Sequence, residues 1–182
     1  MSHLEPRFRY ATSGDIAAVR ALVESAYRGE ASRVGWTTEA DLLDGQRTDV
    51  AEISELIDRP GSLILLAEAK DELLACVHLE RMHGAAYLGM FSVHPGQQAR
   101  GLGRRVLAEC ERIAAAEWGA REMRMTVIVQ RSELIAWYER RGYVRTGITK
   151  PFPYGDARFG LPRRPDLRFE WLAKPLTSEA AA

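Results

Sequence analysis

The sequence has little cysteine and no long apolar run, and each shortage excludes a class of protein. Its 182 residues include two cysteines, Cys76 and Cys110, which make no metal-ligand spacing and are expected to be core thiols rather than a disulfide. Because no run of about 18 apolar residues occurs, we expect no membrane span. Residues 1–10 lack the apolar segment of a secretory signal, so the expected location is the cytoplasm.

An overall excess of charge is also lacking, since the formal net charge is zero at pH 7. Proteins that bind nucleic acid usually carry a basic excess, so no nucleic-acid partner is expected. The charge is distributed unevenly, however. Residues 1–91 carry 9 Lys/Arg and 15 Asp/Glu, a net charge of −6, whereas residues 92–182 carry 16 and 10, a net charge of +6. The second half therefore suits an anionic ligand and the first half a cationic one.

The remaining composition is that of an ordinary globular protein. Apolar residues make up 46% of the sequence and charged residues 27%. A chain of this length fits one domain with a substantial core. We therefore expect a single domain over residues 1–182, with a folded core at about residues 7–176 and a frayed tail at 177–182. No metal site is expected.

Residues 85–117 contain the pattern around which the rest of the chain is organised. An apolar run over residues 87–93 predicts a buried strand, and a Pro-Gly turn separates it from a glycine-rich segment at residues 98–103. The first backbone N–H groups of a helix have no internal partner and carry positive potential, so this strand-to-helix corner suits an anion. Apolar residues then recur every three or four positions, which predicts a helix: Leu102, Val106, Leu107, Cys110, Ile113 and Ala114.

The residue types at this corner favour a phosphate as the anion. Gly101 and Gly103 allow the backbone to approach a ligand without an intervening Cβ. Two familiar nucleotide motifs do not fit, because the dinucleotide fingerprint needs a third glycine where the chain has Val106, and no Gly-Lys-Ser/Thr run exists. Three arginines add full charges around the corner: Arg100, Arg104 and Arg105.

The corner resembles the signature of the GNAT family of acetyl-CoA-dependent N-acetyltransferases, Gln/Arg-x-x-Gly-x-Gly/Ala. Gln98, Gly101 and Gly103 match it directly after a predicted strand. A second similarity lies downstream, where Tyr138-Glu-Arg-Arg-Gly142-Tyr resembles the family's Tyr-x-x-x-Gly-Phe. The resemblance extends over about residues 7–176.

Two departures from the family pattern lie near this second motif. The family often has Asn six residues before the tyrosine, where this chain has Ser132, and an Ala three residues before it, where the chain has Ile135. These differences weaken a cofactor contact inferred for Ser132 but not the expected fold.

The resemblance implies an α/β (α+β) fold with a mixed central sheet, splayed between strands 4 and 5, and helices on both faces. The apolar patterns predict strands at residues 7–10, 62–69, 73–80, 87–93, 123–129, 143–149 and 167–174, and four main helices between them. One further helical turn is expected between Thr38 and Gly45. The resulting order, β-α-α-β-β-β-α-β-α-β-β, is that of the family.

The resemblance also implies acetyl-CoA as co-substrate and assigns its contacts. In the family the glycine-rich turn wraps the pyrophosphate, and a bulge in strand 4 offers backbone N–H groups to the acetyl carbonyl. The cofactor-binding residues expected on this basis are Phe91, Ser92, Val93, Gln98, Ala99, Arg100, Gly101, Leu102, Gly103, Arg104, Arg105 and Ser132.

Tyr138 matches the family's general acid, which gives a proton to the leaving thiolate. A tyrosine hydroxyl has an ordinary pKa near 10, so it holds its proton at neutral pH. The general base is left open, because the position where some members have a glutamate is Tyr87. Four other side chains are unranked candidates: Glu30, Glu39, His78 and Glu80.

The acceptor is expected to be a small polar amine bound between residues 30–39 and residues 151–165, two long irregular segments. Two arginines, Arg33 and Arg158, could hold a carboxylate and so favour an amino acid over a polyamine. The expected acceptor contacts are Glu30, Arg33, Trp36, Glu39, Tyr87 and Tyr154, with Asp156 and Phe152 beside them.

Several alternatives stay open from the sequence, including the use of acyl groups larger than acetyl. The domain could be a sensor that binds acyl-CoA without turnover, or the acceptor could be a protein N-terminus or lysine. A homodimer is also left open.

Overall fold

A mixed seven-stranded sheet forms the centre of the protein, which we describe from a computed structural model for residues 5–177. The final residues of the expected tail, 178–182, lie outside the described part. The strands are β1 (Arg7–Tyr10), β2 (Leu43–Asp44), β3 (Ser62–Ala69), β4 (Glu72–Met82), β5 (Ala85–Val93), β6 (Glu122–Ile128), β7 (Val144–Pro151), β8 (Leu161–Pro162) and β9 (Arg168–Pro175).

Five α-helices accompany these strands in the described residues. After α4 the chain makes one further π-helical turn, Ile113–Glu117, before β6 begins. The helices are α1 (Ile16–Tyr27), α2 (Gly29–Ser32), α3 (Val50–Asp58), α4 (Leu102–Arg112) and α5 (Ser132–Glu139).

The order of the main elements agrees with the prediction, but two local features differ from it. The helical turn expected between Thr38 and Gly45 is limited to one hydrogen-bonded turn, in which the Glu39 carbonyl accepts from the N–H groups of Leu42 and Leu43, and the short strand β2 follows it directly. β2 pairs antiparallel with β8 through Leu43 and Pro162, and Asp44 and Leu161. This second, two-stranded sheet connects the chain just after residues 30–39 with the segment at residues 151–165.

The large sheet has the strand order β1-β3-β4-β5-β6-β9-β7. All neighbouring pairs are antiparallel except β5 and β6, which run parallel. Those two strands pair only at Ala86 with Met123 and at Tyr87 with Arg124, near the start of each strand. Beyond Tyr87 they separate, so the expected splay between strands 4 and 5 of the family pattern lies between β5 and β6.

Each face of the sheet is covered by helices, as expected. Residues of α4, including Val106 and Leu107, pack with β5 and β6 on one face. Residues of α1 and α3, including Val23 and Ile53, pack with β3 and β4 on the other. Because strand side chains alternate between faces, the sheet separates two apolar cores. The splayed end of β5 lies at the rim of both.

Both cysteines are buried in these cores and neither forms a disulfide. Within residues 5–177 no helix is long and apolar enough to cross a lipid bilayer. The same residues contain no cluster of His, Cys, Asp and Glu that could hold a metal ion.

Candidate active site

A bulge in β5 marks the point where the strand leaves its regular pairing. Cys76 of β4 pairs with Ser92 and His78 pairs with Gly89, so β5 carries one extra residue between these two pairs. Met90 in the bulge has a φ of 49°, in the left-handed region that an L residue rarely adopts. Such bulges are common beside active sites because they redirect the backbone.

The residues expected at the bulge point in different directions. Phe91 and Val93 line a cavity beside the splayed strands. Ser92 is buried on the other side, where its hydroxyl donates to the carbonyl oxygen of Met90. From α1, Tyr27 donates its hydroxyl to the carbonyl oxygen of Phe91, which fixes the bulge against that helix.

The glycine-rich turn continues from the end of β5 and opens α4. Ala99 and Gly101 have φ angles of 61° and 82°, and Gly101 is the residue before the first helical turn. None of the described residues accepts a hydrogen bond from the backbone N–H groups of Leu102, Gly103 or Arg104. The start of α4 therefore presents unpaired donors beside the cavity.

Gln98 has a different task from the one its place in the motif suggested. Its side-chain oxygen accepts from the backbone N–H of Trp36 at 2.9 Å, and its nitrogen donates to the Thr37 hydroxyl and the Val93 carbonyl. A Cβ on Gly35 would lie 2.5 Å from this side chain, so a larger residue there would displace the Gln98 amide from these bonds. The amide thus ties residues 35–37 to the end of β5, while the residue as a whole lines the cavity.

The cavity between these elements has a volume of about 560 Å³. Its walls come from α1, residues 36–37, the end of β5, the turn, the first residues of α4, and α5. Trp36, which the sequence analysis assigns to the acceptor, lies in this wall, with its ring centroid 6.3 Å from that of Trp137. A Cβ at Gly103 would lie 3.4 Å from the Trp137 ring, so the helix start approaches the cavity closely.

Three arginines with no carboxylate partner among the described residues line one end of the cavity: Arg104, Arg140 and Arg141. The Arg141 guanidinium lies 3.6 Å from the Trp137 ring centroid and donates to the Trp137 carbonyl, but its Nε is buried without a partner. Burial, together with Arg140 and Arg104, lowers the pKa of Arg141. Converging cations and an orphaned buried donor fit an anionic group such as a phosphate.

Tyr138 reaches the same cavity from α5. The residue is 4% exposed, and its ring packs edge-on against those of Trp137 and Tyr143. No described residue forms a hydrogen bond with its hydroxyl, although the side chain lines the cavity wall. Burial raises the pKa of Tyr138 well above its ordinary value. The hydroxyl therefore stays protonated at neutral pH.

The remaining polar cofactor candidates are not part of the cavity wall. Ser132 is exposed and is the first residue of α5 rather than its N-cap, which is Arg131. Arg105 is 3.9 Å from the carboxylate of Glu5, and neither it nor Arg100 is part of the wall.

The sequence model of the "Acetyltransferase (GNAT) family" matches residues 30–143, which is more than half of the chain. The chain belongs to the GNAT acetyltransferase family. This match confirms the resemblance seen in the sequence. It also confirms that the protein is an N-acetyltransferase enzyme. A comparison with curated proteins found no match.

Several solved structures share the fold of this GNAT enzyme. A ribosomal-protein-alanine N-acetyltransferase from Brucella melitensis is 20% identical, with a TM-score of 0.69 over 93% of this chain and 99% of that one. A Salmonella typhimurium protein solved with its cofactor acetyl-CoA is 19% identical, with a TM-score of 0.67 over 97% and 96%. A spermidine N-acetyltransferase chimera from Vibrio cholerae and hSSAT is 16% identical, with a TM-score of 0.67 over 94% and 95%. At these identities the likeness shows the fold alone.

Glu39 of this GNAT enzyme, an expected acceptor contact, occupies a buried ion cluster. Its carboxylate accepts from Arg28, and from Arg131 at 2.8 Å, and all three side chains are less than 10% exposed. Burial by itself would raise the pKa of Glu39, but Arg131 and Arg28 outweigh it and lower that pKa. This placement argues against the acceptor contact expected for Glu39, because its charge is already neutralised.

Replacing Glu39 by Ala is expected to destabilise the enzyme by about 3–5 kcal/mol, because two guanidinium groups would be left buried without a counter-charge. The free energy of unfolding from urea titrations measures this loss. Since the pKa of Glu39 is lowered in the folded state, its contribution is complete above the unfolded pKa, near 4.3, and declines as the pH falls below that value.

Glu30→Ala serves as the matched control, because Glu30 is 91% exposed and its pair with Arg33 is at the surface. We expect that change to alter stability by less than about 0.5 kcal/mol. Equal effects of the two substitutions would show that the buried cluster contributes nothing particular.

The other acceptor candidates are spread over the surface and the strands. Arg33 pairs with Glu30 and with Asp41, at 2.9 Å, on an exposed part of the chain. Tyr154 donates its hydroxyl to the Arg164 carbonyl and accepts from the backbone of Leu167, which fastens its own loop. Arg158 pairs with Asp156 in the same loop.

Tyr87 lies on the face of β5 that α1 and α3 cover. Its ring is 6.2 Å from His78 and 6.0 Å from Trp171. A Cβ on Gly89 would lie 2.8 Å from the Tyr87 ring, so the glycine leaves room for it. Burial lowers the pKa of His78 to about 4, and its Nε2 lies 2.9 Å from the Ser62 hydroxyl, so the imidazole is neutral at pH 7.

Sequence reasoning missed five residues that build this site: Tyr27, Arg131, Trp137, Arg140 and Arg141. Arg140 and Arg141 lie inside the very motif that identified Tyr138, but the motif leaves their positions unspecified. Trp137 directly precedes Tyr138 on a predicted helix, where an aromatic residue is more often part of the core than of a ligand site. The tie between Tyr27 and the bulge joins residues 64 positions apart, for which the sequence carries no local signal.

Proposed function

We propose that this enzyme moves the acetyl group of acetyl-CoA to the primary amine of a small polar acceptor by direct attack in a ternary complex. The observation that carries the proposal is that one cavity joins an anion-binding end to the Tyr138 hydroxyl. The N-terminus of α4 and three arginines form the anion-binding end. The splayed strands lie between that end and the Tyr138 hydroxyl.

Acetyl-CoA fits this cavity by charge and by shape. The unpaired N–H groups at the start of α4 and Arg104, Arg140 and Arg141 would hold the phosphates. The close approach at Gly103 would bring the pyrophosphate against the helix. The gap between β5 and β6 would then receive the pantetheine arm, with the bulge at its inner end.

When bound, acetyl-CoA supplies an activated thioester. Backbone N–H groups at residues 91–93 would donate to the carbonyl oxygen as negative charge develops on it. The amine nitrogen attacks the carbonyl carbon, the C–N bond forms and the C–S bond breaks. Tyr138 gives its proton to the departing sulfur, and the proton lost by the new amide nitrogen returns to Tyr138 through solvent.

The general base is assigned to water rather than to a side chain. Glu39 is bound to two arginines, Glu80 is paired with Arg59, and His78 is neutral with a depressed pKa. Glu30 is exposed at the surface and paired with Arg33. Each is a weak acceptor for a proton at neutral pH. We therefore infer that the acceptor is deprotonated by solvent, so that the rate rises with pH toward the pKa of the amine.

A free-CoA assay with a panel of amines tests the proposed function. The panel holds amino acids, polyamines, peptides with free N-termini and lysine peptides. We expect release of CoA with small polar amines, equal to the amount of acetylated product. Release with peptides only would favour the protein acceptor, and tight binding of acetyl-CoA without turnover would favour the sensor.

A further inference from the structure

Arg47 is not part of the cavity wall, and it has no role in the proposed acetyl transfer. It follows β2 and is partly buried, with its guanidinium 5.4 Å from the ring centroid of Tyr27. None of the residues described in the structure accepts a hydrogen bond from that guanidinium. Its nitrogen atoms are nevertheless not sealed from solvent, unlike the Nε of Arg28 and Arg141.

The backbone around Arg47 is held firmly, so the free guanidinium is not the end of a loose loop. One carboxylate oxygen of Glu24, on α1, accepts from the backbone N–H of Arg47 at 2.7 Å and of Thr48 at 3.0 Å. The Thr48 hydroxyl donates to Glu52, on α3. The pairing of β2 with β8 fixes the preceding residues.

Arg47 also lies close to the point of reaction. Tyr27 contacts Arg47 through its ring and the β5 bulge through its hydroxyl, so one side chain spans the distance between them. Burial would lower the pKa of Arg47, but Glu39 and Tyr27 outweigh that effect and raise it, so the group is fully charged. An anion on Arg47 would thus lie within a small molecule's length of the acetyl group.

The other candidate arginines for such an anion are already paired. Arg33 and Arg158, which the sequence suggested for a carboxylate, are bound to Asp41 and Asp156. Arg28 and Arg131 share Glu39.

Three carboxylates that could otherwise hold the ammonium groups of a polyamine are also paired with arginines. Glu39 is in its cluster, Glu80 pairs with Arg59, and Glu170 pairs with Arg145. Lys150 lies over the Trp171 ring at 5.8 Å and adds a positive charge near Tyr87.

We infer that Arg47 binds a carboxylate of the acceptor, and that the acceptor is a small amine carrying a carboxylate close to the amine, as in an amino acid. The inference rests on the proposed function and names its substrate class. A guanidinium matches a carboxylate in a two-bond geometry that an ammonium cannot reproduce.

The test compares each L-amino acid with its carboxamide and with its decarboxylated amine. Binding to the enzyme–CoA complex is followed by calorimetry, and acetyl transfer by CoA release. Wild type is expected to favour the acids. Arg47→Ala should raise Kd and KM for the acids by about 10–100-fold and leave those of the carboxamides unchanged, because a charged hydrogen bond is lost.

Two further variants separate recognition from folding. Arg47→Lys keeps the charge and is expected to retain part of the preference for acids. Arg164→Ala removes an exposed arginine paired with Asp166 and should behave as wild type.

The outcomes distinguish this inference from the proposed function. Transfer to decarboxylated amines as good as to acids, or an equal loss for acids and carboxamides in Arg47→Ala, overturns the inference while leaving acetyl transfer intact. Arg47-dependent binding of acids without any transfer supports the inference and overturns the proposed transfer. Neither binding nor transfer overturns both.

Discussion

Replacing Tyr138 by Phe is expected to lower kcat by about 10²–10⁴-fold, the usual worth of a positioned general acid. The Kd of acetyl-CoA should remain unchanged, because the substitution removes only a hydroxyl that no described residue binds. Burial raises the pKa of Tyr138 above its ordinary value, so the wild type keeps this proton at neutral pH. The loss is therefore expected at neutral pH, and steady-state kinetics with calorimetry of CoA binding measure it.

Tyr10→Phe provides the matched control, since it removes a tyrosine hydroxyl from an exposed site where the partner is Glu117. Its kcat should equal that of wild type. A Tyr138→Phe enzyme that is folded by circular dichroism and has a wild-type kcat would remove this residue from the proposed mechanism.

Replacing Gly103 by Asp is expected to weaken the binding of CoA by at least about 100-fold. The new side chain would start 3.4 Å from Trp137, at the helix start where we place the pyrophosphate, and would bring a negative charge against it. Like charges in contact cost several kcal/mol, and about 3 kcal/mol already corresponds to this change. Calorimetric titration with CoA measures the effect.

Two companion variants separate charge from bulk. Gly103→Ala adds the Cβ alone and should weaken binding less than Asp does. Gly14→Asp places the same side chain in a short helical turn away from the cavity, where a Cβ meets only the Thr12 hydroxyl at 3.7 Å, and should leave binding unchanged. Unaltered CoA affinity in a folded Gly103→Asp protein would mean that the site is misplaced.

The fold could be predicted from the sequence because its signals are local. The turn at residues 98–103 identifies itself by glycine spacing after an apolar strand, and α4 by its apolar period. The bulge in β5 was expected from family resemblance rather than from any residue. Met90 adopts the left-handed conformation at the bulge, and methionine is not a residue type from which that conformation can be predicted.

The acceptor side could not be predicted in the same way, because charges there are assigned by distant partners. In the sequence Glu39 is a plausible ammonium ligand. In the fold its carboxylate binds Arg131, which lies 92 positions away along the chain. Arg33 and Arg158 looked free in the sequence, whereas each has an acidic partner within ten positions. No pattern in the sequence distinguishes Arg47 from the other arginines. It differs from Arg33 and Arg158 only in the fold, where none of the described residues accepts a hydrogen bond from its guanidinium.

Gln98 illustrates a motif residue whose structural task differs from its expected one. Its amide forms hydrogen bonds with residues 36–37 and with the Val93 carbonyl, and these bonds hold the wall of the cavity together. The arginines that face the cavity instead come from α4 and from the end of α5. The anion-binding end that we propose is thus built from two helices, which a single motif does not span.

The most direct test of the proposed function is to incubate the enzyme with acetyl-CoA and an amino-acid mixture, and to measure free CoA and acetylated amines by mass spectrometry. We predict equal amounts of both products, formed by the wild type and strongly reduced in Tyr138→Phe. Tight binding of acetyl-CoA with no acetylated amine formed would contradict it.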